Sequence, residues 1–315
     1  MVNKKSLNIS VIMPAYNVSK YIETAIDSCV YMPQVREIIV VEDGSPDQTW
    51  EMCQKLDAKF DKIKLYRHEN GKNKGAAETR NVAIKQATQE YIAFLDADDW
   101  FLPHRFDVDA EIFENFEVDG VYSAILASYD IKRPLNKQAD DLTTVGYESA
   151  SVNLFSALLG VDKRGFSHFS LDGLTVKREA LIRCNISFNT LLRLHQDSHF
   201  CLQMAYHLKL VPGSIVEPVS RYRVHAENRI TANSALSPAF MKNKQLFWSE
   251  LRKWTKDKKL KSKERMMIYL NYKLYSLESS TSRRGIVYRL LIELHRTIAT
   301  RDYRKMLNFL VNQLR

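Results

Sequence analysis

Residues 91–99 read YIAFLDADD: an apolar run from Tyr91 to Leu95 is followed at once by the aspartates Asp96, Asp98 and Asp99. Short continuous apolar runs are typical of strands that are buried on both faces of a parallel sheet. In open α/β sheets, ligands bind at the carboxyl ends of the strands. The apolar run therefore predicts a buried strand, and the aspartates predict a functional site at its end.

Three similar runs precede this one: ISVIM at 9–13, EIIVV at 37–41 and IKLY at 63–66. Segments with apolar residues at helical spacing separate the runs, and strands that alternate with such segments indicate βαβ units. The first part of the chain therefore predicts an α/β fold with a mostly parallel central sheet that helices cover on both faces.

Polar clusters end two of these strands as well, PAYN at 14–17 and EDGS at 42–45. Because the carboxyl ends of parallel strands meet at one edge, we expect both clusters to lie beside DADD. After EDGS, the order Ser45, Pro46 and Gln48 predicts a helix that begins at Pro46, with Ser45 and Gln48 forming a capping box.

The pattern changes beyond residue 105. It predicts one or two strands at 119–130, a strand, a helix and a turn at 174–189, a helix at 195–208 and a last strand at 215–225. In the helix at 195–208, Phe200, Met204 and Leu208 should share one face. From about residue 236 the chain reads as amphipathic helices rich in Lys and Arg.

The composition, with 45% hydrophobic and 26% charged residues in a chain of 315, is that of an ordinary globular protein. No apolar run approaches the roughly 20 residues that a membrane-spanning helix needs, and the N-terminus lacks the features of a secretory signal. The four cysteines are scattered without a C-x-x-C pair, which argues against a zinc site or a disulfide framework. We expect a cytoplasmic protein.

The positive charge lies in the last quarter of the chain. Residues 241–315 hold 19 Lys and Arg against 6 Asp and Glu, whereas residues 1–240 hold 27 against 31. A general nucleic-acid binder would not be acidic over its larger part, and the chain has no RNP-like motif. Two interpretations of this basic tail stay open: helices that pack on the rest of the chain, or attachment to an anionic inner-membrane surface, which would place the protein at the cytoplasmic face.

The acidic cluster suits a divalent cation. In an extended segment, Asp96 and Asp98 would point the same way, and paired carboxylates suit Mg²⁺ or Mn²⁺ together with substrate phosphates. The alternative is that these aspartates only cap the following turn. The chain has no G-x-x-x-x-G-K-[ST], no G-x-G-x-x-G after the first strand and only 10 glycines, so a metal is left as the means of neutralising a phosphate.

Four motifs in order, SVIMPAYN, IIVVEDGSPDQT, NKGAAETRN and YIAFLDADD, resemble those of the family 2 glycosyltransferases, which have the GT-A nucleotide-sugar fold. The match is strongest over about 8–105 and looser to about 230. The resemblance implies an inverting, metal-dependent enzyme that moves one sugar from a nucleotide donor, usually UDP-linked, to a hydroxyl of a glycan or lipid-linked acceptor in surface polysaccharide synthesis. It also implies a GT-A domain at 1–235, with a nucleotide-binding half at 1–105 and an acceptor half at 106–235, before a helical extension at 236–315.

The resemblance also implies a nucleotide site. Tyr16 would stack on the base, Asp43 would accept a hydrogen bond from uracil, and Arg80 would contact phosphate or base. Glu42 stands where the family usually has Asp. The implied nucleotide-binding residues are Pro14, Ala15, Tyr16, Asn17, Glu42, Asp43, Gly75, Arg80, Asp96 and Ala97. Asp98 and His225 would hold Mn²⁺ or Mg²⁺, and Asp99 would support its neighbours or cap the segment before Pro103.

The same resemblance implies that Asp197 is the catalytic base. The family places this base near the start of a helix, commonly in a Glu-Asp pair, and here Gln196 takes the place of the first acid. His195, Gln196 and Trp100 are candidate acceptor contacts, although Trp100 could equally pack in the core. Zinc binding by His195 and His199 is disfavoured, because no Glu base lies between them and no third ligand is evident.

Two other functions are considered. A sugar nucleotidyltransferase shares the fold type but usually begins with a Gly-rich loop containing Arg and Lys, where this chain has PAYN. A catalytically silent subunit that binds a nucleotide sugar would bind UDP without turnover, and intact Asp96, Asp98 and Asp197 disfavour it. The tail could also build a homo-oligomer interface.

Overall fold

The computed structural model describes residues 7–132, 142–143, 153–161, 169–225, 238–277 and 283–300. The chain forms two compact units. One comprises Met1–Tyr147 and His168–Asn228, and the other comprises Glu148–Ser167 and Arg229–Arg315. The second unit thus takes in a segment from the middle of the chain, and the division at residue 235 stays a prediction.

The first unit is built on a seven-stranded sheet with the order β10-β6-β9-β4-β1-β2-β3. Its strands are β1 (Ile9–Ala15), β2 (Val35–Glu42), β3 (Ile63–Arg67), β4 (Tyr91–Phe94), β6 (Gly120–Tyr122), β9 (Leu174–Lys177) and β10 (Leu210–Pro212). All pairs are parallel except those that β9 makes with β4 and β6. The predicted α/β class with a mostly parallel sheet is confirmed.

The four predicted strands of the first part are present because their apolar runs are covered on both faces. Every residue of β4 is buried, and β2 is buried except at Arg36. Strand β1 lies between β2 and β4, with Ala15 beside Glu42 and Ile12 beside Phe94. This register places PAYN, EDGS and DADD at the same edge of the sheet, as predicted.

A second sheet of four strands has the order β5-β11-β7-β8, formed by β5 (Trp100–Phe101), β7 (Ile125–Tyr129), β8 (Leu142–Thr143) and β11 (Ser220–Val224). Strand β5 follows DADD directly and pairs antiparallel with β11, with Arg221 opposite Trp100. Because β11 ends at Val224, this pairing brings His225 to the acidic cluster from a position 127 residues away.

Helices of the first unit are α1 (Ile22–Val30), α2 (Thr49–Lys59), α3 (Ala76–Gln86), α4 (Asp107–Asn115), α6 (Arg178–Arg183) and α7 (Gln196–His207). Helix α7 confirms the predicted segment, with Phe200, Met204 and Leu208 buried. The predicted start of α2 was wrong. The helix begins at Thr49 instead of Pro46, because Asp47 accepts hydrogen bonds from the Thr49 N–H and hydroxyl and takes the role expected of Ser45.

The second unit contains α5 (Leu154–Leu158), α8 (Pro238–Trp254), α9 (Ser262–Tyr275) and α10 (Arg283–Thr300), so the predicted helical C-terminal region is confirmed for its described part. Buried Glu264 on α9 accepts a hydrogen bond from the Ser156 hydroxyl on α5. Among the helices that the structure describes, none is both long and apolar enough to cross a membrane.

Candidate active site

The PAYN and EDGS loops are joined by backbone contacts. The Asp43 N–H donates to the Ala15 carbonyl at 2.9 Å, and the Asn17 N–H donates to the Ser45 hydroxyl at 3.0 Å. Asn17 adopts a left-handed conformation with φ of 56°. Tyr16, next to this turn, is 37% exposed. Stacking of its ring on a base stays a prediction.

Asp43 anchors the loop that leads into α3. Its buried carboxylate accepts the N–H of Lys74 at 2.6 Å and the N–H of Gly75 at 2.9 Å, and His68 Nε2 lies 3.5 Å away. Gly75 has φ of 90°, a conformation that glycine adopts without strain. The structure thus brings Asp43 and Gly75 together. A hydrogen bond from Asp43 to a base stays a prediction.

Glu42 has two partners inside the protein. Its fully buried carboxylate accepts the Arg67 Nε–H at 2.6 Å and the Ser45 N–H. The Arg67 guanidinium also lies 4.6 Å from the centre of the Trp50 ring. These contacts join the ends of β2 and β3 and the start of α2. Contact of Glu42 with a nucleotide stays a prediction.

Gly44 is the position in the EDGS loop that should tolerate no side chain. It has φ of +71°, and an added Cβ would overlap the carbonyl oxygen of Gly71. We expect Gly44→Ala to reduce the free energy of unfolding, measured in urea, by more than the roughly 1–2 kcal/mol of a left-handed residue alone. Gly71→Ala is the control: its φ is +59°, but the nearest atoms to its Cβ belong to the Arg67 side chain at 3.2 Å. An equal reduction of the free energy of unfolding in Gly44→Ala and Gly71→Ala would contradict the predicted overlap.

Arg80 lies on α3 and is 5% exposed. Its Nη2 donates to Asp96 Oδ1, and its guanidinium lies 5.5 Å from the centre of the Phe188 ring. Burial alone lowers the pKa of Arg80, but the negative charges of Asp96, Asp197 and Asp172 outweigh burial and raise it. A permanently charged guanidinium is therefore surrounded by three carboxylates that are far apart in the sequence.

DADD forms a turn instead of the extended segment that the sequence analysis expected. The Asp99 N–H donates to the Asp96 carbonyl at 3.0 Å. Because the chain reverses here, the Asp96 and Asp98 carboxylates do not share a partner: Asp96 contacts Arg80, whereas Asp98 Oδ2 lies 3.2 Å from His225 Nε2. The expected extended conformation was wrong, but the predicted neighbours Asp98 and His225 are in contact. Ala97, which lies between Asp96 and Asp98 in the sequence, is buried.

Arg223 on β11 holds the turn from one side, and sequence reasoning missed it. Its N–H donates to Asp99 Oδ1 at 2.7 Å and its Nε–H donates to the Asp98 carbonyl at 3.0 Å. The guanidinium lies 4.8 Å from the Trp100 ring and 5.0 Å from the Tyr21 ring. Trp100 is partly exposed, which leaves both of its predicted roles open.

Negative charge is concentrated around this turn. Burial raises the pKa of Asp98, and the charge of Asp96 adds to the rise while the hydrogen bond with His225 opposes it. Burial and the charges of Asp172 and Asp98 raise the pKa of Asp99. Burial and the charge of Asp96 raise the pKa of Asp172 to about 7. In all three residues burial is the largest cause of the raised pKa, and neighbouring negative charges add to it.

These residues fit a divalent cation. Oxygen atoms of Asp96, Asp99 and Asp172 lie within 4.8 Å of one another. This group contains neither Asp98 nor His225, the two residues predicted to hold the metal; Asp98 lies on the same turn and contacts His225. Carboxylate-rich sites suit Mg²⁺ or Mn²⁺, and a bound cation would offset the charge that raises these pKa values. Asp172 was missed because it lies 76 residues from Asp96 and the sequence around it, SLDGL, reads as an ordinary turn before a strand.

Asp197 lies in the first turn of α7 and is exposed. Its Oδ1 accepts the N–H of Ser198 at 2.8 Å. The position of α7 is fixed by its buried face, where Phe200 stacks on Phe188 with ring centres 3.9 Å apart. Phe188 in turn packs under Arg80, so the exposed carboxylate lies within electrostatic range of the Arg80 guanidinium. The role of Asp197 as the catalytic base stays a prediction.

The residues before Asp197 lie at the same helix start. His195 precedes α7 in a left-handed conformation with φ of 61°, and Gln196 is buried. His199 is buried as well, with Nδ1 lying 3.2 Å from Gln203 Nε2. In the described part of the chain, the three side chains with metal-ligand spacing are Asp96, Asp99 and Asp172. Neither His195 nor His199 belongs to this group. Acceptor contacts of His195 and Gln196 stay predictions.

The relatives found by comparison with known proteins are glycosyltransferases. The family model for glycosyl transferase family 2 matches residues 10–181. An uncharacterised glycosyltransferase of Nostoc sp. is 31% identical over 73% of this chain and 69% of its own length. WfaP of Escherichia coli, a UDP-Glc:α-D-GlcNAc-diphosphoundecaprenol β-1,3-glucosyltransferase, is 35% identical over 36% of this chain and 45% of its own length. The chain spans less than half the length of WfaP and of several other curated relatives.

Solved structures share the fold. Residues 1–349 of Staphylococcus aureus TarS in complex with UDP-GlcNAc align with a TM-score of 0.62 and 20% identity, over 93% of this chain and 79% of that one. The mannosyltransferase PcManGT of Pyrobaculum calidifontis, in complex with GDP-Man and Mn²⁺, aligns with a TM-score of 0.56 and 17% identity, over 93% of this chain and 85% of that one. The GT-A fold and a family match over more than half of the sequence show that this chain belongs to glycosyl transferase family 2.

Proposed function

We propose that the protein is an inverting, metal-dependent glycosyltransferase that moves a sugar from a UDP-sugar to a hydroxyl of a glycan or lipid-linked acceptor in surface polysaccharide synthesis. The observation that carries the proposal is the convergence at one sheet edge of the DADD turn, its partner His225 and buried Arg80, with Asp197 nearby. The relatives support it: WfaP is named for UDP-Glc and a diphosphoundecaprenol-linked acceptor, and TarS has been solved with UDP-GlcNAc.

Each part of the site has a role in this reaction. Asp197 removes the proton of the acceptor hydroxyl as the acceptor oxygen forms a bond to the anomeric carbon of the donor. The bond between that carbon and the phosphate oxygen breaks, and the nucleoside diphosphate leaves with the electron pair. A single displacement from the opposite face inverts the configuration at the anomeric carbon. Arg80 supplies a fixed positive charge beside Asp96, which is one of the implied nucleotide-binding residues.

Asp98 and His225 would hold the cation. A bound Mn²⁺ or Mg²⁺ supplies positive charge that stabilises the leaving diphosphate. PcManGT, whose fold is similar, has been solved with Mn²⁺. The nucleotide-binding roles of Pro14, Ala15, Tyr16 and Asn17 belong to the same proposal, and their support is the position of the PAYN loop beside EDGS.

A donor and acceptor panel tests the proposal. UDP-, GDP- and TDP-sugars would be incubated with a GlcNAc-diphospho-lipid or a free oligosaccharide, with Mn²⁺ or with EDTA, and products measured by mass spectrometry. We expect one UDP-sugar to give an acceptor heavier by one sugar residue, with free UDP, only when metal is present. A nucleoside triphosphate with a sugar phosphate would test the nucleotidyltransferase alternative. Nucleotide binding without any product across the panel would favour the catalytically silent subunit.

We also propose that the basic helices of the second unit bind an anionic membrane surface. Residues 238–277 contain 11 Lys and Arg and three acids. Two of the acids, Glu250 and Glu264, are buried, so Asp257 is the exposed one. On α9, Met266 and Tyr269 are 47% and 42% exposed beside exposed Arg265. Exposed apolar residues next to cations favour a lipid surface over a polyanion that stays in water.

Vesicle binding tests this part of the proposal. Reversal of Lys256, Lys259 and Lys261 to Glu should weaken binding to vesicles containing phosphatidylglycerol at least about 100-fold, because each cation near an anionic surface contributes about 1 kcal/mol. Reversal of three exposed lysines of the first unit, Lys55, Lys64 and Lys85, is the matched control. An equal loss of vesicle binding in both triple variants would contradict membrane binding through the basic helices. Binding of the wild-type protein to vesicles of pure phosphatidylcholine would contradict it as well. The predicted homo-oligomer stays a prediction that light scattering can test.

A further inference from the structure

We infer that Asp172 is a positioning residue: its side chain fixes the conformation of the DADD turn and thereby places the groups that hold the donor. Asp172 is 3% exposed and lies two residues before β9, which is next to β4 in the sheet. Its Oδ1 accepts the N–H of Asp96 at 3.1 Å. The functional consequence rests on the proposed function, whereas the conformational one does not.

The contact occurs where the chain leaves the sheet. The last ladder bond of this segment runs from the Leu95 N–H to the Ile12 carbonyl at 3.0 Å. The next N–H, that of Asp96, is bound by Asp172 instead of by a neighbouring strand. An acceptor at this point sets the residue at which the turn begins, and with it the directions of Asp96 and Asp98.

Asp172 is itself held firmly. It lies in a single 3₁₀ turn, Leu171–Gly173, and its carbonyl accepts the Nε–H of Arg105 at 3.1 Å. Arg105 is 1% exposed and is fixed by Asp109 at 2.9 Å and by the Thr175 hydroxyl at 3.2 Å. Because these partners lie on α4 and β9, the Asp172 side chain extends from a rigid part of the fold.

Asp172 also lies close to the other end of the turn. A carboxylate oxygen of Asp99 lies within 4.8 Å of oxygens of Asp172 and Asp96, and Asp99 is held by the N–H of Arg223 at 2.7 Å. The Asp172 side chain thus binds the first residue of DADD and lies beside the last.

Three variants of Asp172 distinguish the effect of the position of its side-chain oxygens from the effect of its negative charge. Asp172→Asn keeps an oxygen that can accept the Asp96 N–H, whereas Asp172→Ala removes it. Asp172→Glu keeps the charge but moves the oxygens by one methylene. We expect amide hydrogen exchange at Asp96, measured by NMR without metal or nucleotide, to accelerate in the Ala and Glu variants and to stay near wild type in Asn.

Nucleotide affinity provides the second readout. In calorimetric titrations of UDP with Mn²⁺, the Ala and Glu variants should bind about 10–100-fold more weakly than Asn, as is typical when a residue that orients a ligand-binding group is removed. If Ala does not fold, the contrast between Asn and Glu decides. Glu37→Gln is the control, because Glu37 is a buried carboxylate bound to Ser10 and Thr88 near the opposite end of β2; it should lose stability but not affinity.

The outcomes are distinguishable. Wild-type exchange at Asp96 in the Ala or Glu variant, or equal exchange in all three variants, would overturn the positioning role. Accelerated exchange with unchanged UDP affinity would overturn its link to the donor site. If the wild-type protein binds no nucleotide, the proposed function fails, and the exchange measurements still decide whether Asp172 sets the turn.

Discussion

Asp197→Asn is expected to reduce sugar transfer about 10²–10⁴-fold, the usual contribution of a general base, while donor binding stays intact. Asparagine has nearly the same shape but cannot accept the proton of the acceptor hydroxyl. The exposed position of Asp197 means that the change disturbs no core packing. Initial rates with saturating donor, together with UDP affinity from calorimetry, measure the two effects separately.

The control for this variant is Asp107→Asn. Asp107 is also exposed and is the first residue of α4. Its substitution therefore shows how much sugar transfer changes when an acid is removed from a helix start and only the interaction with the helix dipole is lost. We expect transfer by Asp107→Asn to remain at the wild-type level. Undiminished transfer by Asp197→Asn would show that another group is the base, and absence of transfer by the wild-type protein would favour the catalytically silent subunit.

The second large effect is expected on cation-dependent UDP binding. Asp98→Ala should weaken Mn²⁺-dependent UDP binding more than 100-fold, because changes that merely disturb the support of a metal ligand already cost about 10–100-fold. The variant removes the carboxylate that contacts His225 at 3.2 Å. Binding measured in EDTA should differ little between variant and wild type, since the cation makes no contribution there.

Asp119→Ala is the matched variant for Asp98→Ala. Asp119 belongs to the same unit and pairs with exposed Arg183 at 2.9 Å, but it is not part of the acidic cluster. Its loss should leave metal-dependent binding unchanged. A wild-type affinity in Asp98→Ala would mean that the cation is held by other residues, and the close group of Asp96, Asp99 and Asp172 would then be the next to substitute.

Much of the fold could be predicted because the relevant information is local. Apolar runs such as ISVIM and YIAFL can be buried on both faces only inside a sheet, so they specify strands, and alternation with helical segments specifies parallel pairing. The polar clusters PAYN, EDGS and DADD then had to meet at one edge. The buried face of α7, with Phe200 and Met204, followed from helical spacing in the same way.

Features that depend on distant residues could not be predicted. The turn at DADD is set by Asp172 and Arg223, which approach from β9 and β11, and no spacing within DADD reports them. The start of α2 depended on which side chain accepts an N–H there: Asp47 accepts the Thr49 N–H, whereas the Ser45 hydroxyl accepts the Asn17 N–H. The contact between Asp98 and His225 was expected only from the family resemblance, since 127 residues separate the two.

Calorimetric titration of UDP, GDP and TDP into the wild-type protein, in Mn²⁺, in Mg²⁺ and in EDTA, tests the proposed function most directly. The structure places the acidic turn, His225 and Arg80 together, and from this we predict that UDP binds tightly with metal and at least about 100-fold more weakly in EDTA. Binding of none of the three nucleotides, or binding that is indifferent to metal, would contradict a metal-dependent nucleotide-sugar transferase.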